Sequence, residues 1–315
     1  MSKLRARIIY NPSSGRETIK NELASILNVY EQAGYETSAF ATTPELNSAK
    51  NEARRVALEG FDLIVAAGGD GTVNEVVNGI ADLDKRPTMA VIPAGTTNDY
   101  AHALGISKGS FLESAKVINK HQMVKMDIGQ ANQKYFMNIA GGGLLTELTY
   151  GVPADMKTIF GYLAYVAKGV ELLPQIKPIN MRIEYDEGIF EGKASMFLLG
   201  LTNSIAGFDQ LVPNSLLDDG KFSLLIIKTA NVAQILKLAA MALNGSKHVN
   251  DNNVIYTRTS HVKISVPDGK NIKINLDGEY GSDTPVDFID HKQHIKMVVD
   301  MDSIKSTHIT DRKLI

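Results

Sequence analysis

Over roughly the first 125 residues, short β-branched or small-residue runs alternate with longer stretches in which apolar positions recur every three or four residues. The runs Ile8-Ile9-Tyr10, 35–41, Asp62-Leu63-Ile64-Val65-Ala66-Ala67 and Met89-Ala90-Val91-Ile92 read as strands. Residues 17–33, 47–59, a stretch from Thr72 and the region beyond Asn98 read as helices. The continuous apolar run 62–67 has the character of a buried strand. Alternation of this kind predicts a doubly wound, Rossmann-like α/β sheet with helices on both faces.

Past residue 125 the texture changes. Short strand-like runs at 134–140, 179–185, 194–201, 222–228, 260–266 and 272–276 are separated by Gly, Asp and Asn turns, which predicts an antiparallel β sandwich. Two helical stretches, near 155–173 and 231–244, interrupt it. The expected division is an α/β domain over 1–125 and a β-sandwich domain over 126–299, with the polar tail 300–315 free to return to the first.

Composition narrows the function. A length of 315 residues suits two cores, and a formal net charge of -2 argues against a bulk electrostatic partner such as nucleic acid. With no cysteine, disulfides, thiolate zinc sites and cysteine nucleophiles are excluded. The basic start is followed only by Ile8-Ile9-Tyr10, far short of a signal peptide, and no run approaches the ~18 apolar residues of a membrane span. These features predict a soluble, cytoplasmic protein.

In a doubly wound sheet, ligands sit beyond the carboxyl ends of the strands. The loops leaving Tyr10, Ala67 and Ile92 read Asn11-Pro12-Ser13-Ser14-Gly15, then Gly68-Gly69-Asp70-Gly71-Thr72-Val73-Asn74-Glu75, then Pro93-Ala94-Gly95-Thr96-Thr97-Asn98-Asp99. Glycines let the backbone approach an anion, and Thr72 is placed to cap a helix whose free N–H groups favour negative charge. Asp70 beside phosphates calls for a cation between them, so a bound Mg²⁺ bridging Asp70 to nucleotide phosphates is the economical inference. Each loop alone is matched by an ordinary capped turn; the three together at the ligand-facing strand ends are not. No P-loop, no dinucleotide-binding Gly-x-Gly-x-x-Gly after the first strand and no protein-kinase motif set is present.

The order Asn-Pro-x-Ser-Gly, Gly-Gly-Asp-Gly-Thr-x-Asn-Glu, Gly-Thr-x-Asn-Asp resembles the diacylglycerol kinase catalytic family, which includes sphingosine kinases. The likeness continues through Val124-Lys125-Met126-Asp127-Ile128-Gly129, Leu217-Asp218-Asp219-Gly220 and Leu276-Asp277-Gly278-Glu279-Tyr280, and is greatest to soluble bacterial members. The resemblance implies ATP-dependent phosphorylation of diacylglycerol at an active site in the cleft between the two domains. It implies ATP against Asn11, Pro12, Ser13, Ser14, Gly15, Thr42, Gly69, Asp70, Gly71, Thr72, Val73, Asn74, Glu75 and Thr96. Asp70, Asp99 and Asp127 would surround a catalytic Mg²⁺, partly through water, and Glu279 would be the base. A second, structural Mg²⁺ would be held by the carbonyls of Leu216 and Lys221 and the carboxylate of Asp219. The lipid would be met peripherally at an anionic inner membrane face; a homodimer is left open.

Without the family, these acids read more plainly. Asp277-Gly278 is a hairpin turn with Glu279 an exposed turn acid, Asp218-Asp219-Gly220 is a turn, and Asp127 is a solvated strand-end acid. Gly141-Gly142-Gly143 reads as a bend, and His102, His121, His248, His261, His291 and His294 as surface or packing residues. Lys157 to Lys168, aromatic with flanking lysines, suits an interfacial helix and a core helix equally. Other lipid alcohols and NAD remain rival acceptors, and a nonenzymatic nucleotide or lipid sensor is the rival of another class.

Overall fold

The computed structural model describes residues 3–14, 19–95, 97–106, 109–143, 178–202, 215–228, 247–267, 271–305 and 308–310, with 234, 237, 238, 241, 242 and 269 besides. The chain forms two compact units, one from Met1–Asp127 with Gln293–Ile315, the other from Ile128–Lys292. The return to the first unit starts at Gln293, ahead of the polar tail 300–315.

The first unit begins with β1 (Leu4–Tyr10), α1 (Ile19–Gln32), β2 (Tyr35–Ala41), α2 (Ser48–Leu58), β3 (Leu63–Gly68), α3 (Asp70–Ile80), β4 (Thr88–Pro93), α4 (Asp99–Ala103) and α5 (Phe111–Lys116). Its strands are parallel in the order β2-β1-β3-β4. Ile8, Val65, Ala67 and Ile92 pack against Ile19, Ile26, Val29 and Tyr30 of α1 and Ala115 of α5. Between them along the strands, Ile9, Ile64, Ala66 and Val91 are equally buried, so both faces of the sheet are covered. Each such side chain contributes about 1.5–3 kcal/mol relative to exposure. Helices α2 and α3 touch at Gly79, where a Cβ would come within 2.5 Å of the Lys50 carbonyl oxygen.

The remaining strands are β5 (Met123–Ala131), β6 (Lys134–Phe136), β7 (Ile139–Gly143), β8 (Ile179–Tyr185), β9 (Gly188–Gly200), β10 (Phe222–Lys228), β11 (Val254–Thr259), β12 (His261–Ser265), β13 (Lys273–Leu276), β14 (Glu279–Asp283) and β15 (Val286–Val298). Strands β5 and β15 run opposite ways, with Asn132 N–H donating to the Asp287 carbonyl and Val299 N–H to that of Gln122. Within the first unit the end of β15 lies parallel to β4, Met297 beside Met89.

The second unit is antiparallel, and β9 serves two layers. Residues 188–194 pair with β8, whereas 196–200 lie between β7 and β10. One layer runs β14-β13-β7-β9-β10-β11, the other β9-β8-β12-β15-β5-β6. Phe136, Phe197, Phe222 and Phe288 fill the space between them, with Phe136 stacked on Phe222 at 5.7 Å and edge-on to Phe288 at 6.1 Å.

The expected α/β and β-sandwich classes are both found, with local differences. The run 134–140 is two strands, broken where the N–H groups of Met137 and Asn138 turn to the Asp277 carboxylate. Strand β11 and most of β15 lie outside the strand-like runs read above, since their polar positions hide a two-residue period, while β5 and β14 are signalled only by the strand-end Asp127 and the Asp277-Gly278 hairpin. The helical reading of 155–173, including Lys157 and Lys168, lies outside the described residues. Of 231–244 only 234, 237, 238, 241 and 242 are described, and they are helical. Among the described residues, no helix is long and apolar enough to cross a membrane.

Candidate active site

Strand register brings the three loops of the first unit to one edge. Tyr10 pairs with both Ala41 and Ala67, and Gly68 with Pro93. Backbone bonds then carry the pairing into the loops, from Asn11 N–H to the Ala67 carbonyl, Thr42 N–H to that of Tyr10, and Ala94 N–H to that of Gly68, each at 2.9 Å. The small residues predicted for phosphate are thus presented together beyond the carboxyl ends of β1, β2, β3 and β4.

The first loop is a turn closed by its own asparagine. Asn11 Oδ1 accepts the N–H of Ser13 at 2.9 Å and its carbonyl that of Ser14 at 3.1 Å, with Pro12 between them. Ser13 is exposed, while Asn11, Pro12 and Ser14 are half-buried; Gly15 lies outside the described residues.

The second and third loops meet backbone to backbone. A Cβ on Gly95 would sit 2.6 Å from Gly69 Cα, so the third loop has no room for a side chain there, and one on Gly69 would be tight at 3.3 Å from Gly95 Cα. Asn98, buried and left-handed at φ 54°, spans its own loop, with Oδ1 accepting the Gly95 N–H at 2.8 Å and Nδ2 donating to the Gly95 carbonyl at 2.7 Å. The Asp70 carboxylate accepts the N–H of Asn98 at 2.9 Å and, more loosely, that of Tyr100 at 3.4 Å. Burial pushes the Asp70 carboxyl above the usual aspartate range, and the N–H groups of residues 98–100 pull against that rise. Thr96 lies outside the described residues; Thr97 is exposed.

Helix α3 starts at Asp70, with Gly69 as its N-cap and no capping side chain. This corrects the expectation for Thr72, which sits within the first turn against Gly68. The uncapped end, carrying exposed Gly71, suits an anion through its N–H groups and dipole. Val73 is buried in the core. Asn74 accepts from Asn78 Nδ2 at both its carbonyl and its side-chain oxygen, each at 3.0 Å. Glu75 Oε2 accepts the N–H of Ala49 at 2.9 Å and of Lys50 at 3.3 Å, so it caps α2 from a neighbouring helix. The resemblance places Glu75 among the nucleotide contacts, and no local motif announces this bond.

The other predicted acids lie in different surroundings. Asp127 is no solvated acid: it is 4% exposed, and its Oδ1 accepts the Gln293 N–H at 2.6 Å. Asp99, half-buried, opens α4. Among the described residues, no three His, Asp or Glu side chains converge as a metal-binding group. As an acceptor-only group, the Asp70 carboxylate keeps lone pairs for a cation after taking these N–H bonds, and in that respect the residue fits Mg²⁺.

In the second unit Asp277 and Gly278, at φ 50° and 94°, form the two-residue turn between β13 and β14, and Glu279 follows it exposed. The Asp277 carboxylate is the ordered acid of this turn, accepting the N–H groups of Met137, Asn138 and Ile139 at 2.8, 2.8 and 3.0 Å. The resemblance expected Leu216, Asp219 and Lys221 to hold a metal. The described residues do not fit one there, because Arg258 Nη2 lies 2.6 Å from both Asp219 oxygens and 2.8 Å from the Lys221 carbonyl. Leu216 is half-buried in the preceding loop. Arg258 is a residue that no local motif announced.

Comparison with known proteins agrees with this architecture. Residues 5–131 match the family model described as "Diacylglycerol kinase catalytic domain", and 150–299 that described as "YegS C-terminal NAD kinase beta sandwich-like domain". The chain is 52% identical over 295 residues to the "Diacylglycerol kinase" of Bacillus subtilis (strain 168), covering 94% of this chain and 96% of the relative. The chain belongs to the diacylglycerol kinase family. A second relative, the "Diacylglycerol kinase" of Staphylococcus aureus (strain Newman), is 45% identical with 98% of each chain covered. A solved diacylglycerol kinase from Bacillus anthracis str. Sterne matches with a TM-score of 0.81 at 26% identity, over 96% of this chain and 99% of that one. Membership in this family makes the chain a kinase, and the family's fold is the one described above.

Proposed function

We propose that this kinase transfers the γ-phosphoryl group of ATP to the free hydroxyl of diacylglycerol, giving phosphatidic acid in membrane phospholipid turnover. The observation that carries the reading is the alignment of three small-residue loops at the ends of β1, β3 and β4, in a chain 52% identical to a diacylglycerol kinase.

ATP lies against Asn11, Pro12, Ser13, Ser14, Gly15, Thr42, Thr96 and the segment Gly69 to Glu75. Within that set the backbone of Gly69 and Gly71 and the uncapped start of α3 take the phosphates. Asp70, Asp99 and Asp127 are the residues that would hold Mg²⁺, partly through water; when bound, the ion neutralises charge on the phosphates. Glu279, exposed after its turn, takes the proton of the acceptor hydroxyl. The acceptor oxygen bonds to the γ-phosphorus as the bond from that phosphorus to its bridging oxygen breaks, and ADP leaves. The enzyme works peripherally on an anionic membrane at the cytoplasmic face.

Label transfer from ATP to diacylglycerol in mixed micelles, lost in Asp70→Ala, is the expected result. A wild type that labels NAD, undecaprenol or a sphingoid base instead would replace the acceptor, and ATP binding without transfer to any of them would overturn the kinase mechanism proposed here.

A further inference from the structure

The acceptors around Asp219 converge on a single nitrogen. Arg258 Nη2 donates to Asp219 Oδ1 and Oδ2 at 2.6 Å each and to the Lys221 carbonyl at 2.8 Å. These three atoms include the carboxylate and one carbonyl expected to ligate a structural Mg²⁺. The distances suit charge-assisted hydrogen bonds, whereas Mg²⁺ takes oxygens at about 2.0–2.1 Å.

Several features hold the guanidinium in place. Arg258 sits on β11 directly across from Ser223 on β10, whose Oγ lies 3.4 Å from Arg258 Nη1. Ser223 Oγ is itself bonded to Ser215 at 2.8 Å and Tyr256 at 3.2 Å. The loop closes on the same carboxylate, with Lys221 N–H donating to Asp219 Oδ1 at 3.2 Å. Both charged side chains are largely withdrawn from water, Arg258 20% and Asp219 19% exposed.

We infer that Arg258 is the resident cation of this site, so that the Asp219 loop is held without a metal ion. A guanidinium never loses its proton in the accessible pH range, and it is covalently supplied at every Mg²⁺ concentration. A divalent ion entering the loop would have to expel it, leave its charge without the carboxylate, and suffer repulsion from it at short range. The same acceptors, freed of Arg258, form a small oxygen-lined site of the kind Mg²⁺ prefers.

The test is thermal melting of nucleotide-free, full-length protein in chelator and in MgCl₂ at matched ionic strength. The wild type is expected to melt at the same temperature in both. Arg258→Ala should melt lower in chelator by roughly 5 °C, as a carboxylate loses its partner, and recover part of that loss in Mg²⁺. Adding Asp219→Ala to Arg258→Ala should remove the recovery. Mg²⁺ stabilisation of the wild type that disappears in Asp219→Ala overturns the inference, as does an Arg258→Ala protein with no Mg²⁺ response. Should Arg258→Ala fail to fold, Mn²⁺ added to the wild type decides by NMR. Unbroadened amides over 217–223 support the inference, and broadening centred on Asp219 overturns it. None of these readouts depends on the lipid acceptor, so they stand apart from the proposed reaction.

Discussion

The carboxylate of Asp127 accepts the backbone N–H of Gln293 at 2.6 Å. These are the last residue of the first unit before the chain leaves it and the first on its return. Gln293 adopts φ 50°, which a non-glycine side chain reaches at a cost, and Asp127 is the acceptor that fixes it there. Asp127→Ala should lower stability by about 1–3 kcal/mol, read from the urea midpoint. Gln293→Gly in that background should regain part of it. A variant with unaltered stability and no activity would assign Asp127 to the reaction alone.

Contact between Gly69 and Gly95 predicts a contrast between glycines. Gly95→Ala puts a methyl group 2.6 Å from backbone, and should cost about 1–3 kcal/mol while abolishing ATP binding. Gly71→Ala meets nothing within 4 Å, so its melting temperature should hold or rise slightly while ATP affinity falls. Differential scanning calorimetry with and without ATP separates the two effects.

Burial of Asp70 sets a pH dependence. Its folded-state carboxyl lies above the ordinary aspartate value, so the folded state binds its proton more tightly than the unfolded chain does. The resulting contribution to stability is fully present below the unfolded value, about 4, and fades as pH climbs through the folded one. The urea midpoint of the wild type minus that of Asp70→Asn should therefore fall as pH rises from about 4 to 7 in metal-free buffer. A difference that grows over that range would contradict the raised value.

Glu75 ties α3 to the start of α2 through Ala49 and Lys50. Glu75→Ala should cost about 1–2 kcal/mol, typical of a lost cap, with a raised KM for ATP because Thr42, placed against ATP, precedes that helix. Glu75→Gln, which keeps an acceptor oxygen, should recover most of the stability in a melting experiment.

Two acids of one turn should respond in opposite ways. Glu279→Gln changes an exposed side chain and should leave the melting temperature within a degree or so while removing phosphoryl transfer. Asp277→Ala strands three N–H groups on Met137, Asn138 and Ile139, and should cost about 2–4 kcal/mol. Kinetic assays alongside melts of both variants distinguish a chemical role from a supporting one.

What the sequence determined by itself was local. The period of apolar residues specified β1 to β4 and the helices between them, and the Gly-Gly-Asp-Gly-Thr run marked the turn into α3, although the helix starts at Asp70 and not at Thr72. Asp277-Gly278 likewise announced its hairpin, because a two-residue turn is written in adjacent positions. Partners distant along the chain were decided by tertiary structure alone. Asp70 finds Asn98 across 28 residues, Asp219 finds Arg258 across 39, and Asp127 finds Gln293 across 166. A carboxylate in a sequence carries a charge and a reach but no address, and its burial and partners follow from strand register. Only the folded chain made Asp127 a buried acceptor, Glu75 a helix cap and Arg258 the cation beside Asp219.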